Sequence, residues 1–184
     1  YGSKVGLIGC GHIGRRLIKF LRPFQVKLKV YDPYISSEMA DILDFTKTSL
    51  TNVLTQSDVI VCLAPLTPKT KGMLGREELD LIPANTVFVN VSRGAIVDSK
   101  ALIERLRQGD VVAGLDVFDP EPIPVDSEIR HLPNVFLSPH IASHTSRSRT
   151  RFFSLMVEEF NSFFSGHETR FNLTSDTFRN RTGM

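Results

Sequence analysis

VGLIGCGHIG, residues 5–14, decides how the rest of the chain is read. The apolar run from Val5 to Ile8 leads directly into Gly9-x-Gly11-x-x-Gly14, and a helix-like stretch follows. Glycine-rich turns are common, so the motif means little alone. Its context gives it weight: a strand in front, a helix behind, and Asp32 at the end of the next apolar run, 18 residues after Gly14. Each part has a physical purpose. Gly9 permits a tight turn, Gly11 lets a pyrophosphate approach the backbone, and Gly14 lets the helix press on the sheet. The helix start offers free N–H groups and a partial positive charge to an anion. Asp32 can accept from ribose hydroxyls and would repel a 2′-phosphate. The sequence after it is Pro33-Tyr34, with no arginine to receive such a phosphate. The expectation is a dinucleotide site for NAD rather than NADP.

Working outward, apolar runs alternate with helical stretches. Strands are expected at 5–9, 27–31, 58–64, 86–91, 111–117 and 134–137. Helices are expected at 12–21, 36–43, 49–55, 76–81, 98–108 and 143–164. Pro23 and Pro83 end two of these helices, Asp98 is a candidate N-cap, and Gly109 and Gly166 stand just past two helix ends. Residues 65–72 (PLTPKTKG) and the proline-rich, acidic stretch 118–133 read as loops. Alternating strands and helices predict an α/β fold, a doubly wound and mostly parallel sheet covered on both faces. Ligands of such a sheet bind beyond the carboxyl ends of its strands. We expect one cofactor-binding domain over 1–165 and a polar tail over 166–184.

The bulk numbers fit this. The 184 residues are enough for one domain, and 41 % apolar with 23 % charged residues is ordinary for a globular protein. A net charge of +2 gives no pull toward nucleic acid or a membrane surface. In HTSRSRTR, Arg147, Arg149 and Arg151 alternate at period two, which scatters them around a helix instead of forming a stripe. No apolar run approaches the roughly 20 residues of a bilayer span, and no secretory leader pattern is seen. The two cysteines, Cys10 and Cys62, show neither metal spacing nor a disulfide framework. A cytoplasmic setting and no metal site are expected. The glycosylation-like triplets at Asn90, Asn172 and Asn180 are read as chance. Cys10 sits at a helix start, where thiolates are favoured, yet packing beneath the glycine loop is the simpler role for it.

Three further strand ends carry chemistry. Arg93 follows TVFVNV, Glu121 follows VVAGLDV, and His140 follows NVFLS. All three belong on the cofactor side of the sheet. Each alone is unremarkable. Together they suit hydride transfer to a 2-oxo acid, which builds negative charge on the carbonyl oxygen. His140 can deliver a proton there, or remove one in the oxidative direction. Arg93 can grip the substrate carboxylate and polarise the carbonyl. Glu121 can hydrogen-bond the imidazole and orient it. Asp116, ending its own strand, is placed to hold the nicotinamide carboxamide.

GLIGCGHIG, VYDPY, CLAPLTPKTKGMLG, NVSRGAIVD, GLDVFDPEP and LSPHIA run in order from residue 5 to about 145. In these six stretches the chain closely resembles the Rossmann-like NAD-binding domain of the D-isomer-specific 2-hydroxyacid dehydrogenases. The resemblance implies Arg93, Glu121 and His140 as catalytic residues. It places His12 and Ile13 against the pyrophosphate and Asp32 on the adenosine ribose. Pro65 and Thr70 become cofactor contacts of the PLTPKT loop. Val91, Ser92, Arg93 and Asp116 would line the nicotinamide half, and 140–143, with His140, Ala142 and Ser143, would close over it. It further implies a small 2-oxo or 2-hydroxy acid substrate and a homodimer formed through this domain. Such chains also carry a substrate lobe, largely N-terminal. This chain starts at Tyr1, where that lobe would already have ended, and so reads as a piece with little turnover of its own. The apolar residues of 152–164 do not fall on one helix face, as if a second surface met the absent lobe or a partner. NAD-responsive co-regulators of the same fold are the competing reading. The intact Arg93–Glu121–His140 set favours an enzyme. Formate-specific relatives carry glutamine where this chain has Glu121, which argues against formate.

Overall fold

The computed structural model describes residues 2–172, together with Thr174, Ser175 and Phe178. Seven strands form one sheet: β1 (Lys4–Ile8), β2 (Lys27–Tyr31), β3 (Thr46–Lys47), β4 (Val59–Cys62), β5 (Val87–Asn90), β6 (Val112–Leu115) and β7 (Val135–Leu137). Over residues 2–172 six α-helices accompany them: α1 (His12–Leu21), α2 (Ser37–Leu43), α3 (Leu50–Gln56), α4 (Arg76–Asp80), α5 (Ser99–Arg107) and α6 (Ser146–Phe164). The strand order is β3-β2-β1-β4-β5-β6-β7, and every pairing is parallel. The order reverses between β1 and β4. That reversal opens the crevice where a doubly wound sheet takes its ligand.

The sheet is buried on both faces, as crossover helices require. Successive residues of β1 show it: Leu7 belongs to a core cluster with Ile18 of α1 and Val30 of β2. Ile8 belongs to the other, with Val53 and Leu54 of α3 and Phe88 of β5. Both Leu7 and Ile8 are fully buried. Side-chain caps set several helix starts, namely Ser36 on α2, Ser49 on α3, Asp98 on α5 and Thr145 on α6.

The structure departs from expectation in four ways. Strands β1 and β2 keep the expected five residues, whereas β4 to β7 are one to three residues shorter than their expected runs and each starts one residue later. Strand β3 is only two residues long with both side chains exposed, so no periodicity announces it. The long last helix begins at Ser146 rather than 143, because Thr145 caps it, accepting from Ser148 N at 3.0 Å. Short 3₁₀ turns at Arg22–Phe24, Gly94–Ile96 and Glu128–His131 fill stretches that carry no helical period. Nine of the 19 residues of the expected tail, Asn180 among them, lie outside the described residues. Of the other two triplets, Asn90 is 1 % exposed and holds internal hydrogen bonds. Among the described residues no helix is long and apolar enough to cross a membrane.

Candidate active site

The glycine loop leaves β1 with Gly9 at φ +95°, a conformation that side chains resist. A Cβ there would also stand 2.8 Å from the backbone nitrogen of Ala64 at the end of β4. At Gly14 a Cβ would stand 2.9 Å from the Gly9 carbonyl oxygen, so this glycine sets how closely α1 packs on the loop. Gly11 differs from both. A Cβ there would meet nothing within 4 Å, because the residue faces open space. Gly11 is also the N-cap of α1 and supplies no side-chain cap, which leaves the N–H groups at His12 and Ile13 for an anion.

A cavity of about 760 Å³ opens over this loop, bounded by Gly9, Gly11, Asp32, Tyr34, Pro65 and Thr70 among others. The Asp32 carboxylate is fixed at its rim. It accepts from Cys10 N at 2.7 Å and from Tyr34 N at 2.8 Å. These bonds leave acceptor capacity on both oxygens for a pair of hydroxyls. Across the cavity the Thr70 hydroxyl donates to the Pro65 carbonyl at 2.6 Å and receives Thr67 N at 2.8 Å, closing the 65–70 turn on itself. The open backbone at Gly11, the bare helix start and the carboxylate opposite fit the adenosine and pyrophosphate portions of NAD. Burial, reinforced by the Asp32 charge, pushes the Cys10 thiol up to about 11, so it packs as a neutral group under the loop.

The remaining strand ends carry the second half of the site. After β5 the chain turns sharply at Ser92 and Arg93. Asn90 organises the turn: its side-chain oxygen receives Ser92 N at 3.1 Å and its amide donates to the Arg93 carbonyl at 3.2 Å. The buried Ser92 hydroxyl bonds the Ala64 carbonyl, which ties this turn to the cofactor cavity. The Arg93 guanidinium donates to the Ser92 carbonyl at 2.6 Å and keeps its other N–H groups. Val91 beside it is exposed.

His140 and Glu121, 19 positions apart, meet with Nδ1 and Oε1 at 2.8 Å. His140 sits in a left-handed conformation, φ +53°. Asp116 braces the backbone around it. Its carboxylate accepts from the Ser138 hydroxyl at 2.5 Å, from Ile141 N at 2.8 Å and from Ala142 N at 3.0 Å. Its carbonyl accepts from His140 N at 2.9 Å. Burial raises the Asp116 carboxyl, but these three donors and the nearby His140 outweigh it and hold the group below its usual value. The Ser143 carbonyl in turn receives the Ser148 hydroxyl at 2.8 Å. The residues expected from the sequence therefore follow the carboxyl ends of the parallel strands. Asn90, Gly94 and Ser138, which support them, escaped that reading. Asn90 had a signal: it is a polar residue at a core-facing position of an apolar strand.

Residues 1–142 match the model of the D-isomer specific 2-hydroxyacid dehydrogenase NAD binding domain. A D-3-phosphoglycerate dehydrogenase of Methanocaldococcus jannaschii is 36 % identical over 168 residues, which cover 90 % of this chain and 32 % of that protein. A glyoxylate reductase of Korarchaeum cryptofilum is 35 % identical over 167 residues, covering 90 % and 50 %. The chain thus spans from a third to a half of these relatives' length. Among solved structures, the D-lactate dehydrogenase of Lactobacillus jensenii with NAD⁺ superposes with a TM-score of 0.83 at 27 % identity, over 94 % of this chain and 56 % of that one. The NAD-complexed D-isomer specific 2-hydroxyacid dehydrogenase of Lactobacillus delbrueckii gives 0.80 at 30 %, over 91 % and 55 %. The glycine loop, the strand order and these likenesses converge: the chain belongs to the D-isomer specific 2-hydroxyacid dehydrogenase family and comprises its NAD-binding domain.

Proposed function

We propose that this chain serves an oxidoreductase that moves hydride reversibly between NAD(H) and a 2-oxo or 2-hydroxy acid. The observation that carries the reading is the His140–Glu121 pair at 2.8 Å, beyond the same carboxyl ends of the strands as the Arg93 turn. NADH held in the cavity over the glycine loop would supply the hydride that reaches C2 of the oxo acid. His140 donates its Nε2 proton to the carbonyl oxygen, giving the hydroxy acid; in reverse, Nε2 takes the hydroxyl proton. Glu121 can only accept, so the Nδ1 proton points at it, and the ring is held with Nε2 free for substrate. Arg93 offers its unused N–H groups to the substrate carboxylate as a planar fork. Ser92, Val91, Ala142, Ser143 and Asp116 frame the nicotinamide half. His12, Ile13, Gly9, Gly11 and Gly14 receive the pyrophosphate. Asp32 takes the ribose hydroxyls and selects NAD over NADP. The substrates named for the relatives, glyoxylate and 3-phosphoglycerate, share the α-oxygenated carboxylate that Arg93 and His140 address together.

Two wider features belong to the same reading. Residues 1–165 form the cofactor lobe, and a substrate lobe closes over it to exclude water and fix the substrate. Alone, the chain binds NADH with little turnover. The family likeness also supports a homodimer through this lobe, and two buried, unpaired cysteines suit a reducing cytoplasm. The test is oxidation of NADH by the complete protein with glyoxylate or hydroxypyruvate. His140→Asn should cut turnover by about 10²–10⁴-fold while calorimetry shows NADH affinity unchanged. Turnover retained in that variant would remove His140 from the chemistry.

A further inference from the structure

The loop that carries Glu121 is poorly suited to holding itself. Pro120, Pro122 and Pro124 alternate through it, so every second residue lacks an N–H. The segment from Phe118 to Ile123 joins no strand or helix. Phe118 and Ile123 give it two apolar anchors, one on either side of Glu121. Beyond Ile123 the carbonyls of two consecutive residues are taken by one side chain. Arg130 donates from Nη2 to the Ile123 carbonyl at 2.5 Å and from Nε to the Pro124 carbonyl at 2.8 Å. A guanidinium offers two parallel donors at this spacing; an ammonium does not.

Arg130 is itself firmly mounted. It lies on the 3₁₀ turn Glu128–His131, whose Ile129 is 1 % exposed in the larger core. The preceding Glu128 receives both Nε and Nη2 of Arg107 from α5, at 2.8 and 2.5 Å. A cavity of about 300 Å³ separates the Glu121 loop from the ends of β6 and β7, and Arg130 and Glu121 both line it. The loop thus spans a space, and Arg130 is the polar strut across it.

We propose that Arg130 is a positioning residue which, by gripping the Ile123 and Pro124 carbonyls, holds Glu121 against His140 and so fixes the orientation of the imidazole. This rests on the proposed roles of Glu121 and His140. It extends them to a side chain that touches neither substrate nor cofactor. The Pro124 carbonyl also accepts from Ser127 N at 3.1 Å, so the fork's distinctive contact is the one to the Ile123 carbonyl, two residues past Glu121.

The test is ¹⁵N NMR of histidine-labelled chain, which reports the tautomer of each ring. In the wild type His140 should show one fixed tautomer, with Nδ1 protonated. Arg130→Met keeps the apolar stem and removes the fork. It should leave the melting curve cooperative and NADH affinity within about twofold, yet give His140 averaged Nδ1 and Nε2 shifts. Arg130→Lys, with one donor head, should restore the fixed tautomer only in part. Glu121→Gln is run beside them. If Glu121→Gln averages the shifts and Arg130→Met does not, Arg130 has no positioning role and the pair stands. If Glu121→Gln also leaves the shifts unchanged, the His140–Glu121 reading fails and takes this proposal with it. If Arg130→Met and Arg130→Lys both fail to fold, Arg130 is a stability element, and the positioning role is overturned.

Discussion

At the scale of single residues, glycines of one motif do different work, and substitution separates them. Gly11 faces open space, so Gly11→Val should leave the urea midpoint almost unchanged. Its side chain would stand where a pyrophosphate must lie, and calorimetry should show NADH affinity reduced at least tenfold. Gly9→Ala should behave oppositely. Its φ of +95° and the Ala64 backbone 2.8 Å from the new Cβ both oppose a side chain. The fold should lose about 2 kcal/mol before any ligand is added. Equal effects on folding from the two variants would contradict this division. Asp116 gives a pH-dependent prediction. Its carboxyl is held below the usual 3.8 by the Ser138 hydroxyl, by the Ala142 and Ile141 amides and by His140, against the opposing effect of burial. A depressed carboxyl contributes stability that is fully present above its unfolded value and is lost as pH falls through the folded one. Asp116→Asn should therefore cost about 1–3 kcal/mol at pH 7, and the gap from wild type should close below about pH 4. A gap independent of pH between 7 and 3 would show that the charge is not what the loop uses.

At the scale of elements, the two turns bearing Arg93 and Glu121 behave as one unit because they touch at a glycine. A Cβ on Gly94 would lie 2.0 Å from the Phe118 carbonyl carbon and oxygen, which are backbone atoms and cannot step aside cheaply. Gly94→Ala should therefore cost about 3 kcal/mol and displace both turns together. The expected sign is broadening of the Gly94 and Phe118 backbone amide signals while those of β1 and α1 stay sharp. A variant with wild-type stability would mean that the turns are independent. Much of this architecture was legible beforehand, since strand–helix alternation and residues at strand ends follow from apolar periodicity and turn chemistry. Arg93, Glu121 and His140 were visible because each lies within four residues of the end of an apolar run. Gly94 and Ser138 were not, because their partners, Phe118 and Asp116, are neighbours only after the sheet forms. Likewise nothing in SEIRHLPN marks Arg130 until the loop it grips has been placed. Strand β3 stayed hidden for the opposite reason: two exposed residues carry no pattern to detect.

At the scale of the whole molecule, α6 is out of keeping with the rest. Its 19 residues include none that is buried, and Phe152, Phe153, Phe160, Phe163 and Phe164 are each more than half exposed. Aromatic contacts among Phe160, Phe163 and Phe164 stay within the helix itself. Helices in proteins draw most of their stability from packing an apolar face, and a patch of this kind marks a surface that another surface covers. Under the proposed two-lobe arrangement, that surface is the substrate lobe. The arrangement predicts a contrast between two backgrounds. In the chain alone, Phe153→Ser combined with Phe160→Ser should leave the melting temperature of the sheet within about 2 °C, since neither ring packs on it, and should reduce concentration-dependent association in sedimentation velocity. In the complete protein the same pair should lower stability by roughly 1.5–3 kcal/mol for each ring buried, and should lower turnover through impaired closure. If the pair is neutral in the complete protein, α6 does not carry the lobe. If instead it destabilises the chain alone, the rings already belong to this domain's own core.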